Sequence, residues 1–136
     1  MAKTAEMKET EKRTRAAVEA YVDAWTRNDR AALLNVFAED AVWIDPVGTL
    51  PYEGRARIAE FWDSAHAGDA TLTPQVRRIV VCAEEAILLF RMVVRNSHGG
   101  GMGLDVCDQM TVNEAGKIQL AKAYWDNSCV VPIEEC

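Results

Sequence analysis

The sequence predicts an α+β domain, with helices packed on one face of a curved, mostly antiparallel sheet. Two observations carry this. Apolar residues recur at helical spacing through most of the first half of the chain and at a spacing of two in the second half. The strand candidates of that second half are long, consecutive and joined by short turns, as in an antiparallel meander. No internal repeat, low-complexity stretch or linker interrupts the 136 residues, so residues 1–136 read as one domain.

Val18, Tyr21, Val22 and Trp25 fall at i, i+3, i+4 and i+7, which predicts an amphipathic helix over about residues 8–27. The acidic, lysine-dotted first ten residues are expected to fray. Asn28-Asp29 breaks the helix and caps a short second one, whose buried side is Leu33, Leu34, Val36 and Phe37. AVWID, residues 41–45, reads as a strand closed by Pro46, because proline fixes φ and cannot donate to a ladder. Ile58, Phe61, Trp62 and Ala65 then mark a third helix, from Gly54 to about Ala67. Strands follow at 72–82, 86–96, 102–112 and 117–127, separated by turn residues such as Ser97–Gly101. IVVC at 79–82 and AILLFRMVV at 86–94 are apolar on both faces, where a sheet with one wet side alternates. A second copy of the chain is the simplest cover, so a homodimer is expected.

A formal charge of −6 and a pI near 4.9 remove the counterion release that drives nucleic-acid binding and disfavour anionic membrane surfaces. No leader-like apolar run opens the chain and no stretch approaches membrane-spanning length, so a cytoplasmic location is expected. Cys82, Cys107, Cys129 and Cys136 include no CxxC pair, and with only His66 and His98 to join them no metal site is expected. They read as small buried hydrophobes, with Cys136 a tail thiol. Both histidines are expected to be solvated. Serine-hydrolase, Walker and HExxH patterns are absent, and the GGGMG run at 99–103 reads as a hairpin turn.

The sharpest anomaly lies in GLDVCDQMTV. Asp108 shares its parity with Leu104, Val106, Met110 and Val112, whereas Asp105 points the other way with Gln109 and Thr111. A carboxylate buried without a cation raises its pKa and becomes a neutral hydrogen-bond donor. Satisfaction by backbone amides, or a bulge that turns it outward, are the alternatives. Tyr21 lies on the apolar stripe of the first helix, where its hydroxyl needs a partner. Asp45 closes AVWID on the side of Ala41 and Trp43, in an Asp-Pro context equally suited to a plain turn.

Together, VEAYVDAW, FAEDAVWIDPVG, GRARIAEFW, GLDVCDQM and GKIQLAKAYW resemble the ketosteroid isomerase (steroid Δ-isomerase) family of the nuclear-transport-factor-2-like, or SnoaL-like, fold. They cover about residues 15–127 in the family's order, and the spacings of 24 residues from Tyr21 to Asp45 and 63 from Asp45 to Asp108 agree with its pattern. The resemblance implies a cone-shaped pocket between three helices and the sheet. It also implies that Asp45 is a general base moving a proton of a 3-oxo-Δ5-steroid, and that Tyr21 and protonated Asp108 are oxyanion donors. Ketosteroid isomerase is itself the known case of an ionised Asp base beside a neutral Asp donor. No cofactor is implied. Phe37 and Trp62 stand where members of the family can carry supporting tyrosines; Trp62 could donate its indole N–H instead. Phe37, Phe61, Trp62, Met110 and Trp125 are the candidate substrate-binding residues, with core packing as the other reading. A non-catalytic binding module, a polyketide cyclase and an epoxide hydrolase remain as alternatives on this scaffold. For the last, Arg91 has no evident pair of carboxylate partners.

Overall fold

The first helix, α1 (Ala5–Thr26), starts earlier than its apolar stripe suggests. Thr4 caps it by accepting from the Met7 amide at 3.1 Å, and Lys3 reaches Glu11 across the exposed side. The computed structural model describes residues 2–133, so Cys136 lies outside the described residues. Val18, Tyr21 and Trp25 of α1 are buried as expected. Thr14, also buried, shares its hydroxyl between the carbonyls of Thr10 and Ala83, which pins α1 to the turn after the edge strand.

Asp29 caps α2 (Arg30–Val36) by accepting from the Ala32 amide at 3.0 Å. Phe37, expected on this helix, instead opens strand β1 (Phe37–Ile44), so the strand is longer than AVWID. Arg55, at the start of α3 (Arg55–Ala65), donates twice to the Phe37 carbonyl and holds that helix–strand junction. Between them lies the short β2 (Tyr52–Glu53), and Arg30 of α2 forks onto Asp63 of α3.

The remaining strands are β3 (Thr71–Cys82), β4 (Glu85–Arg95), β5 (Gly101–Val112), β6 (Ile118–Tyr124) and β7 (Val130–Pro132). The order is β2-β1-β6-β5-β4-β3, with β7 beside the first part of β5. The sheet is mixed rather than wholly antiparallel, because β1 lies parallel to β6. Four intervening strands between β1 and β6 allow this, since a parallel neighbour needs a long crossover and not a hairpin. Pro74 sits in the edge strand β3, where the lost amide breaks no interior ladder. Gly101 opens β5 under a close backbone approach: a Cβ there would stand 2.2 Å from the Val94 carbonyl oxygen.

Helices and sheet meet in a core of Val18, Leu33, Phe37, Ile58, Leu88, Met110 and Ile118. The cysteines depart from expectation. Cys82 is exposed and Cys107 and Cys129 are half-buried, because Cys82 ends an edge strand and Cys107 has the outward parity of β5. Among the described residues no helix is long and apolar enough to cross a membrane.

Candidate active site

Alternation on β5 turns Val106, Asp108, Met110 and Val112 inward and leaves Asp105 in solvent, as the parity of that strand predicts. Asp105 pairs with Arg91 on the outer face through two bonds of 2.7 and 3.1 Å, so Arg91 stays away from the interior. Asp108 is 3% exposed, and among the described residues no cation stands beside it. The Tyr21 hydroxyl, from α1, donates to its Oδ2 across a long 3.4 Å.

The parallel β1–β6 pair brings the third group in. Ile44 stands beside Lys122, so β1 and β6 leave the sheet at the same end, with Asp45 and Trp125 just beyond them. There the Trp125 indole Nε1 donates to Asp45 Oδ1 at 2.7 Å, and the Val47 amide donates to the Ala123 carbonyl. Asp108 pairs with Ala123 across β5–β6, so the two acids flank the end of a strand whose buried side there is Ala121 and Ala123, after Ile118 at its start. Small side chains there leave room in front of the sheet.

That room is a partly enclosed cavity of about 200 Å³. Tyr21, Asp45 and Asp108 line it together, in walls of Trp25, Trp43, Phe61, Ala65, Leu72, Phe90, Met92, Val94, Leu104, Val106 and Trp125. Phe61 and Trp125 are thus wall residues as expected. Phe37, Trp62 and Met110 are not: they lie buried behind the wall, Phe37 stacked on Trp43, and Trp62 stacked on His66 and tilted against Trp25. Periodicity puts a side chain on the buried face without saying whether cavity or packed core lies in front of it. Most of the missed wall residues were within reach of the same patterns. Trp25 is i+4 from Tyr21, Trp43 is i−2 from Asp45, and Leu104 and Val106 share the parity of Asp108.

His66 is also not the solvated side chain expected. Its ring stacks on Trp25 and Trp62, and its nitrogens contact the Trp62 carbonyl and Asn28 Oδ1, each at 2.8 Å. Among the described residues no three His, Cys, Asp or Glu side chains are grouped to hold a metal ion.

Burial governs the electrostatics. Desolvation, reinforced by the charge of Asp45, pushes the Asp108 carboxyl well above the usual carboxylate range, and the Tyr21 hydrogen bond only partly opposes it. Asp45 is also raised by burial, with the Trp125 N–H pulling down. Tyr21 is held well above an ordinary phenol by burial and by the two carboxylates. The arrangement offers one carboxylate steadied by a single N–H donor, facing a carboxyl and a phenol that both favour their protonated, donating forms.

Residues 18–121 match the SnoaL-like domain family. The chain belongs to that family. Steroid Delta-isomerase of Nocardioides simplex is 33% identical over 111 residues, 82% of this chain and 88% of that protein. Among solved structures, an epoxide hydrolase/cyclase-like enzyme of pyran ring formation in the polyether salinomycin superposes with a TM-score of 0.79 at 21% identity, covering 90% of this chain and 98% of that one. A Mycobacterium tuberculosis protein in complex with estradiol-17beta-hemisuccinate does so with a TM-score of 0.77 at 18% identity, covering 88% and 98%. These neighbours share the SnoaL-like, nuclear-transport-factor-2-like α+β fold of three helices on a curved sheet.

The burial of Asp108 has a consequence for stability. Its folded pKa is raised, so its contribution is fully present below the unfolded value of about 3.9. It falls by about 1.4 kcal/mol per pH unit until the folded pKa is passed. In urea unfolding between about pH 4 and pH 8, Asp108→Asn is expected to escape this loss, so its stability relative to the parent should improve as pH rises. A constant difference across that range would mean that Asp108 is not destabilised as an anion.

Proposed function

We propose that this SnoaL-like chain is a steroid Δ-isomerase that moves the double bond of a 3-oxo-Δ5-steroid into conjugation. Asp45 takes the proton between the carbonyl and the double bond, and the C–H electron pair passes into a dienolate. Its negative charge gathers on the 3-oxygen, where Tyr21 and protonated Asp108 donate hydrogen bonds. Asp45, now an acid, returns the proton to the far end of the dienolate, so the carboxylate is regenerated. Atoms and charge balance without a redox partner.

The observation that supports this reading is the pair of acids in one apolar cavity with opposite surroundings. Asp45 has a lone N–H donor, whereas Asp108 has only a phenol and hydrocarbon. The relationship to a named steroid Delta-isomerase supports it as well. An epoxide hydrolase built on an Asp-Arg-Asp set is disfavoured, because Arg91 is committed to Asp105 on the other side of the sheet. A binding module for an apolar small molecule is the second reading, favoured by the neighbour in complex with a steroid ester.

Purified protein mixed with 5-androstene-3,17-dione should produce the ultraviolet absorbance of a conjugated enone, and Asp45→Asn should lower kcat by about 100-fold or more. Steroid that binds without reacting would favour the binding module. Trp125→Phe removes the donor that opposes the raised pKa of Asp45. The acid limb of its kcat profile should therefore move to higher pH, because the base must be ionised to act.

The working form is a homodimer through the outer sheet face, where Val80, Leu89 and Tyr124 are exposed. Sedimentation should find a dimer, and Leu89→Arg should yield monomer; a monomeric parent protein would remove this part of the reading.

A further inference from the structure

Trp25 carries a polar atom that its surroundings leave unused. It is 2% exposed, and its indole Nε1 is buried with no hydrogen-bond partner among the described residues. A buried N–H without an acceptor forfeits its hydration and regains nothing, so a fold rarely keeps one without cause. The ring is held on three sides. The indole packs against Trp62 at 4.4 Å between ring centres, stacks on His66 at 5.6 Å and 14°, and meets Trp43 edge-on at 6.3 Å. His66 in turn is fixed by Asn28 and the Trp62 carbonyl.

The complementary vacancy is one helical turn away. Tyr21, four residues earlier on α1, meets Trp25 edge-on at 6.4 Å, and both line the cavity. The Tyr21 hydroxyl donates its proton toward Asp108, and among the described residues no donor meets its oxygen at hydrogen-bond distance and angle. A donor without an acceptor and an acceptor without a donor thus share one cavity wall.

We propose that Trp25 is a positioning residue, whose indole N–H donates to the Tyr21 oxygen once a bound ligand oxygen draws the Tyr21 ring and its hydroxyl off Asp108. This rests on the reading of Tyr21 as a ligand-facing donor. A bond received by the phenol oxygen polarises its O–H and strengthens the bond it gives, since linked hydrogen bonds reinforce one another. The indole also acts on Tyr21 in the direction that eases its ionisation, against burial and the two carboxyls. Of the other rings around Tyr21, Phe37 has no donor, Trp62 lies behind the wall, and the Trp43 indole is not among the buried N–H groups left without a partner.

Trp25→Phe keeps an aromatic ring and removes the N–H. Its kcat should fall about threefold to tenfold with KM within about twofold, the signature of a bond that matters more in the transition state. The second readout needs no turnover. In the 15N-indole spectrum, assigned by single tryptophan substitutions, the Trp25 signal should move downfield on saturation with estradiol, and this movement should vanish in Tyr21→Phe. Trp125 reports occupancy independently, because its indole is bonded to Asp45 in the same cavity. A Trp25 signal that stays still while that of Trp125 moves overturns the role of Trp25 and leaves the cavity reading intact. A movement that persists in Tyr21→Phe overturns it too, since the acceptor is then not Tyr21. If neither signal moves, the cavity reading falls and this inference with it. Should Trp25→Phe fail to fold, the parent and Tyr21→Phe spectra still decide.

Discussion

Everything in the cavity depends on holding one carboxyl in hydrocarbon without a compensating cation. Asp108 sits between inward-facing Val106 and Met110 on β5, with the Tyr21 hydroxyl as its polar neighbour, and burial drives it toward the neutral acid. An arginine or lysine at that point would stabilise the anion and remove the donor. The structure keeps the basic side chains elsewhere: Arg91 and Arg78 lie on the sheet outside, Arg30 and Arg27 between helices in solvent, and Arg55 on a backbone carbonyl. An apolar, cation-poor pocket is thus a property of the whole distribution of charge.

The second constraint is topological. Asp45 and Trp125 are eighty positions apart, yet they meet because β1 and β6 run in the same direction and end together. An antiparallel pairing would put their ends at opposite edges of the sheet. The alanines of β6 matter as much as the acids around them, because bulk at Ala121 or Ala123 would fill the space between Asp45 and Asp108.

Local periodicity made much of this legible. The α1 face, the Asp29 cap and the inward parity of Asp108 all follow from repeats of 3.6 or two residues, which sterics impose on each element separately. The juxtaposition of Tyr21, Asp45 and Asp108 did not follow from any local rule; the resemblance to a family implied it, and the structure brings the three onto one cavity. Features that depend on neighbours across the fold were hidden. The parallel β1–β6 pair has no local signature, and Phe37 belongs to a strand because Arg55 and β6 hold it there. Met110 and Trp62 face inward as their spacing says, but inward at their depth means core. Cys107 is apolar enough for burial and still points outward, since its neighbour Asp108 takes the inner side.

The Arg91–Asp105 pair deserves weight beyond its modest surface energy. In β4 and β5 these residues stand directly opposite one another, three positions along from Asp108. Slipping β4 by a single residue would turn the Arg91 guanidinium into the cavity, and slipping β5 by one would carry Asp108 out into water. Slipping by two would keep the faces but set Arg91 against Gly103 or Cys107, neither of which can answer its charge. The outer ion pair is thus met only in the register that also puts Asp108, and not Asp105, on the inside.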